Sequence, residues 1–246
     1  MNSFKVKILN QDSDISVLDS LMQCHVSKNK INIFNQENLI YINNQQESIF
    51  NNLFNGDILE IKINEQIDIK PIENNLEVVF EDEYYLIVNK PRKMLIHSDG
   101  SNKITLNNYV AGYFKEHHIR RRIRPCNRLD YETAGLVIYA KDDISKAYMD
   151  FLFSSHQITK KYYAICHNRF SKKEGDIDLP IARDRHNSQK MRISKTGKVS
   201  RTQYKVLENG YFSLVDVNIL TGRTHQIRLH LSHINHPLIG DSLYGL

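Results

Sequence analysis

Asn127-Arg128-Leu129-Asp130-Tyr131-Glu132-Thr133-Ala134-Gly135-Leu136-Val137-Ile138-Tyr139-Ala140 is the stretch that decides how this chain folds. Its first half is polar. Its second half, opened by Gly135, is a short apolar run with the length and composition of a buried strand. Asp142-Asp143 follow, and then Ile144, Ala147, Tyr148, Phe151 and Leu152 recur at i, i+3, i+4, i+7 and i+8. That spacing, behind an acidic cap, predicts an amphipathic helix. A polar loop, a buried strand and a capped helix in immediate succession mark a packed globular core.

Working outward toward the N-terminus, Val78-Val79-Phe80 and Tyr84 to Val88 are two apolar bursts separated by Glu81-Asp82-Glu83. They read as a β-hairpin ending at Lys90-Pro91. After a turn at Asp99-Gly100, residues 104–118 suit a helix through Leu106, Tyr109, Val110 and Phe114. Toward the C-terminus the chain is rich in strands. Ile158, Lys160, Tyr162 and Ala164 share one side of a period-2 pattern, Ile177, Leu179 and Ile181 alternate, and Asn209-Gly210 is a hairpin turn. Ile227, Leu231 and Ile234 form a last helical stripe that Pro237 terminates. Many strands with few interspersed helices predict an α+β fold with a mainly antiparallel, mixed sheet flanked by helices.

The front of the chain reads as a separate small α/β module. Residues 4–9 suit a strand, and Ile15, Leu18 and Met22 have helical spacing with Asp14 as N-cap. Ile40-Tyr41-Ile42 leads into a turn at Asn43-Asn44, and Gly56-Asp57 precedes a closing strand through Ile58, Ile61 and Ile63. Residues 64–75, with Pro71 and few large apolar groups, read as a linker. The expected division is therefore 1–75 and 76–246.

Composition narrows the function. The chain has 246 residues, 41% hydrophobic and 25% charged, with 10 Gly and 5 Pro, which excludes fibrous and wholly disordered classes. No apolar run approaches the roughly 18 residues of a membrane helix. The first residues lack the pattern of a secretory signal, and Cys24, Cys126 and Cys166 form neither a disulfide framework nor a zinc motif. A cytoplasmic location is expected. Residues 1–75 hold 6 Lys/Arg against 10 Asp/Glu, net −4, whereas residues 76–246 hold 27 against 18, net +9. A polyanion therefore belongs on the second part.

Arg120, Arg121, Arg122, Arg124 and Arg128 place five guanidinium groups in nine positions, closing on Asp130. Phosphate clamping and a solvated basic loop are both open readings of such a run. A carboxylate in that field is held ionised, ready to act as nucleophile or base, but a turn residue ahead of Thr133 and Gly135 fits the spacing as well. Lys160, Lys161, Tyr162 and Tyr163 mix cations with aromatics on a strand. One tyrosine could stack on an extruded base, or the pair could simply divide between core and surface. Arg223 and Arg228, around the start of the last helix, can reach a phosphate or a carboxylate. His225, His230, His233 and His236 lack the Cys or carboxylate that would complete a metal site, so no metal is expected.

These residues carry a resemblance. Asn127 to Leu136 is similar to the H-R-L-D-x-x-T-S-G-L signature of the RluA-type RNA pseudouridine synthases. Glu81 to Pro91 resembles the opening strands of that family, and Ile158 to Ala164 resembles its V-x-K-x-Y-x-A strand. Thr221 to His230, with His236 to Asp241 and Tyr244-Gly245, resembles its T-G-R-T-H-Q-I-R-x-H and H-P-I-x-G-D-x-x-Y-G blocks. Residues 14–63 are more weakly similar to the ribosomal-protein-S-four-like RNA-binding module, without its basic helix. The resemblance implies isomerisation of uridine to pseudouridine within RNA, with ribosomal RNA the first expectation and transfer RNA the second, by a monomer needing no cofactor or metal. By position, Asp130 would be the catalytic carboxylate, Tyr162 would stack on the target base, and Arg228 would pair with Asp130. Arg128 would lie beside the extruded nucleotide, and Arg120, Arg121, Arg122, Arg124, Lys160 and Arg223 would bind RNA. The signature His is Asn127 here and its Ser is Ala134. Family members continue past Tyr-Gly with a Leu-His-Ala segment, so a chain ending at Leu246 implies a sheet short of part of its edge. The rival expectation is an RNA-binding protein whose synthase-like domain has lost turnover. The front segment is expected to be dispensable for chemistry.

Overall fold

The computed structural model describes residues 3–9 and 15–245, in two compact units, Met1–Leu152 and Phe153–Leu246. Asp14, expected as an N-cap, lies outside the described residues.

The first unit begins with β1 (Ser3–Lys7), β2 (Ile15–Ser16), α1 (Val17–Gln23) and α2 (Lys28–Gln36). Ser16 caps α1, its hydroxyl oxygen accepting from Asp19 N at 3.0 Å. α2 is a helix that the sequence reading leaves out. Its Asn29, Asn32 and Asn35 are poor helix formers, and it is held instead by burial of Ile31 and Phe34. β3 (Ile40–Ile42), β4 (Gln45–Gln46), β5 (Asn52–Leu53) and β6 (Ile58–Lys62) follow. An antiparallel sheet in the order β1-β6-β3-β4 covers a core of Val17, Leu21, Ile31, Leu59 and Ile61. Ile144, from much later in the chain, is buried in that same core.

Residues 64–75 have no regular secondary structure, yet they are a strap rather than a free linker. Ile123 N donates to Asp68 Oδ1 at 3.0 Å, Ile72 N donates to Asn108 O at 3.1 Å, and Asn108 Nδ2 donates to Lys70 O at 2.9 Å. Ile67 and Ile69 pack on the core beneath. An ideal Cβ on Gly112 would meet Ile72 O at 2.0 Å, so only glycine lets the strap lie this close.

β7 (Val78–Glu81) and β8 (Tyr85–Lys90) form the expected hairpin. They are followed by α3 (Leu106–Glu116), β9 (Arg124–Pro125), β10 (Gly135–Ala140) and α4 (Asp143–Ser154). The second sheet is antiparallel in the order β7-β8-β10-β9. Leu86 and Val88 alternate inward against Leu106, Val110 and Phe114 of α3 and Val137 and Tyr139 of β10. Tyr139 is buried whole, its hydroxyl donating to Asn107 Oδ1 at 2.8 Å. Asp142 caps α4 by accepting from Ile144 N and Ser145 N at 2.9 and 2.8 Å.

The second unit comprises β11 (Lys160–His167), β12 (Glu174–Asp178), β13 (Ile181–Arg183), β14 (Met191–Ile193), β15 (Arg201–Glu208), β16 (Phe212–Ile219) and α5 (Gln226–His233). Its main sheet, β11-β16-β15-β12, is antiparallel, and β13-β14 is a separate hairpin. Ser213, Val215, Val217 and Ile219 of β16 alternate inward, where most join a core with Cys166, Val206 and Leu231. The fold is α+β, as the strand-rich pattern predicts. No described helix is long and apolar enough to cross a membrane.

Candidate active site

In the first unit, the loop between β9 and β10 carries Arg128 and Asp130. Arg128 is exposed and Asp130 is half-buried. Asn127 closes the loop like an extra rung of sheet. It accepts from Ile138 N at 2.8 Å and donates from Nδ2 to Leu136 O at 3.0 Å. This is what the residue standing at the signature's His position does here. Leu129 packs on the core below, and Thr133 N donates to Asp130 O at 3.0 Å, tightening the turn that presents the carboxylate.

The arginine run divides by burial. Arg120 and Arg122 are exposed, but Arg121 and Arg124 are buried, and this corrects their expected place among the RNA-binding residues. Arg124 donates from Nε to Asp143 Oδ1 at 2.7 Å and from Nη2 to Glu65. Lys30 pairs with the same Asp143, making a chain of buried charge from α2 to α4. Arg121 Nη2 reaches Ser3 O at 3.5 Å, its Nη1 has no acceptor, and burial pulls its guanidinium below its usual range. Both arginines work inside the fold, where no phosphate reaches.

In the second unit, Tyr162 of β11 packs partly against the core while Tyr163 points outward, as alternation on a strand requires. Lys160 lies two residues earlier on the same side of the strand. Burial and the neighbouring Arg223 both pull its ammonium below the usual lysine range. Arg223 is exposed on the turn before α5, its Nε donating to Val199 O at 3.1 Å. The buried Gln226 ties that turn down. Its Oε1 accepts from Thr221 Oγ1 and Arg223 N at 2.8 and 3.0 Å.

Arg228 forms a two-pronged bond to Asp241, from Nε at 2.7 Å and Nη2 at 2.8 Å. Burial raises the Asp241 carboxyl, but the Arg228 fork and the backbone N–H groups of Leu243 and Tyr244 outweigh it and hold the group below the usual carboxylate range. The sequence singles out Asp130 as the partner of Arg228, whereas Asp241, thirteen positions on, receives this fork.

The histidines are engaged in packing. His230 is fully buried between Thr202 Oγ1 and Leu179 O, each 2.9 Å from a ring nitrogen, and burial lowers its pKa. His236 stacks on Phe170. Among the described residues no group of three or more His, Cys, Asp or Glu could hold a metal ion. Cys126 and Cys166 are pushed up to about 12 by burial, which leaves them poor nucleophiles.

Sequence reasoning misses a basic hairpin. Arg183, Arg185, Lys190, Arg192, Lys195 and Lys198 lie on and around β13-β14, with Asp184 the lone carboxylate among them. The signal was cation density spread over sixteen positions rather than a run. The hairpin is anchored by Tyr244, whose hydroxyl accepts from Met191 N at 2.6 Å.

Comparison with known proteins agrees with this arrangement. A profile described as RNA pseudouridylate synthase matches residues 84–233. A Bacillus subtilis (strain 168) protein named uncharacterized RNA pseudouridine synthase YhcT is 32% identical over 246 residues, covering 97% of this chain and 82% of that protein. Ribosomal large subunit pseudouridine synthase D of Zymomonas mobilis is 40% identical over 188 residues, covering 72% of this chain and 58% of that protein. Among solved structures, human RNA pseudouridylate synthase domain containing 1 is similar at TM-score 0.61 and 28% identity, over 72% of this chain and 73% of that one.

Proposed function

This chain belongs to the RNA pseudouridylate synthase family, isomerases acting on RNA, and from that premise we propose that it converts a uridine of ribosomal RNA to pseudouridine with Asp130 as its catalytic carboxylate. In that reaction the bond from the base to the ribose breaks at N1, the base turns, a new carbon–carbon bond forms at C5, and the C5 proton leaves. Atoms balance without a cofactor or metal. The observation that carries the reading is the loop of residues 127–136, which matches the family signature and presents a half-buried carboxylate beside the exposed Arg128. A flipped base must be met by a fixed acceptor in a site that excludes water.

Tyr162 and Arg228 take the roles the family pattern implies, platform for the base and partner of the carboxylate. A guanidinium has five donors, of which the Asp241 fork uses two. Arg128 stands beside the extruded nucleotide. Phosphates are met by Arg120, Arg122, Lys160, Arg223 and the basic β13-β14 hairpin. The name of the Zymomonas relative points to the large ribosomal subunit, and transfer RNA is the second candidate. We further assign residues 76–246 as the catalytic domain and 1–75 as its accessory module, acting as a cytoplasmic monomer.

The test is Asp130→Asn, which keeps shape but removes the charge. Pseudouridine formation on ribosomal RNA is expected to vanish while RNA affinity stays within about threefold, because phosphate contacts dominate binding. An Asp130→Asn protein that turns over at the wild-type rate refutes the assignment.

A further inference from the structure

Along β8 the residues alternate, and Leu86, Val88 and Lys90 all occupy the buried face. Lys90 is fully buried. Lysine is among the residues least often found there, because removing an ammonium from water costs several kcal/mol unless other dipoles replace the water. Here the replacements are main-chain carbonyls. Nζ donates to Pro91 O and Met94 O, both at 2.9 Å, and at a longer 3.4 Å to Tyr131 O. An ammonium has three donors, so the set is complete without a carboxylate.

The third acceptor is the peptide group immediately after Asp130. Met94 N donates to that same carbonyl at 3.2 Å, and Arg92 reaches the next residue, from Nε to Glu132 O at 3.3 Å and as an ion pair with its carboxylate at 3.6 Å. Where the loop returns to the sheet, Gly135 sits opposite Lys90 in the β8-β10 register, at φ +131°, a conformation that favours glycine. Lys90 therefore lies at the point where the loop carrying Asp130 is gathered against the sheet.

We propose that Lys90 is a positioning residue for the isomerisation: its buried ammonium clamps the main chain that follows Asp130 and thereby sets the orientation of the catalytic carboxylate. The inference rests on the reading of Asp130 above. Two carboxylates of the loop face Lys90, Asp130 and Glu132. Burial pulls the ammonium down to about 8 against their attraction. The clamp is thus charged below about pH 8 and loses its proton above it.

The experiment compares wild type, Lys90→Met and Lys90→Gln in single-turnover pseudouridine formation and RNA binding from pH 6.5 to 9.5. In Lys90→Met the rate is expected to fall by about 10- to 100-fold, the scale of a misplaced reacting group, with RNA affinity within about threefold. The wild-type rate is expected to decline above about pH 8, and both variants to lack that limb. Gln, a shorter neutral donor, is expected to recover part of the rate alone. A Lys90→Met protein at the wild-type rate, or one that keeps the alkaline limb, overturns the proposal. If neither variant folds, the wild-type profile decides, since a rate flat across that range also overturns it. Asp130→Asn in the same assay separates the two readings: turnover surviving there sinks the site, whatever Lys90 does. An activity-independent measurement then judges the clamp. Because the unfolded chain holds the Lys90 proton more tightly than the folded one, wild type should gain urea resistance over Lys90→Met as pH rises from about 8 to 10.5. A pH-independent difference refutes the buried ammonium.

Discussion

Replacing Arg124 by Met is expected to unfold the protein far more readily while leaving its RNA contacts unchanged. The Arg124 side chain is 9% exposed and faces Glu65, at 12%, and Asp143, at 25%. Met fills most of the stem but leaves two carboxylates without that counter-charge. Breaking a buried pair from one side costs about 3–5 kcal/mol. Asp143 keeps Lys30, so the loss falls mainly on Glu65 and belongs at the lower end, about 3 kcal/mol. For a chain of this size that lowers Tm by roughly 6–12 °C. Urea unfolding followed by circular dichroism, on Arg124→Met, Glu65→Gln and the double variant, gives the pairwise coupling, expected above about 1 kcal/mol. The acid side supplies a second check. Burial raises the Asp143 carboxyl, but Arg124 and Lys30 outweigh it and hold it low. Its contribution is present above the ordinary carboxylate range and is lost as pH falls through the folded value, so the acid loss of stability should be shallower in Arg124→Met. In parallel, RNA affinity is measured against salt. A phosphate contact contributes roughly 0.7–0.9 to the logarithmic slope, and the slope should not change. Stability within about 0.5 kcal/mol of wild type, or a slope smaller by one contact, would return Arg124 to the RNA-binding surface.

Two further outcomes follow from buried contacts. A chain beginning at residue 76 loses Lys30, Glu65 and Asp68 and uncovers Ile144, so it should fold poorly and release ordered structure at lower urea than the full chain. This reverses the expectation that the front is dispensable, and an equally stable truncated chain would restore it. His230, whose folded pKa lies below the ordinary 6.5, contributes stability that is complete above that value and falls as pH drops below it. Urea midpoints between pH 5 and 7.5 should therefore converge for wild type and His230→Gln as the pH falls, and parallel curves would refute the buried neutral imidazole.

Local pattern carried most of the framework. The apolar run after Gly135, the Asp142 cap and the stripe on α4 are each set by neighbours within a few residues, so β10 and α4 lie where periodicity places them. The alternation around Asn209-Gly210 is equally local, and β15 and β16 pair across it. α2 was illegible because its asparagines speak against a helix and only the burial of Ile31 and Phe34 holds it. The candidate loop was legible as a motif of adjacent residues, with Asp130 at its centre. What adjacency could not decide was the fate of each charge. Arg121 and Arg124 look no different in sequence from Arg120 and Arg122, yet the first two are buried. Arg124 turns inward because Glu65, 59 positions earlier, waits there, and Lys90 because carbonyls at 91, 94 and 131 replace its water. A strand or helix is chosen by interactions a few residues long, so sequence alone determined those elements. Whether a cation meets RNA or the interior depends on partners that only the folded chain brings within 3 Å, because burying a charge is tolerable solely where such partners are already in place.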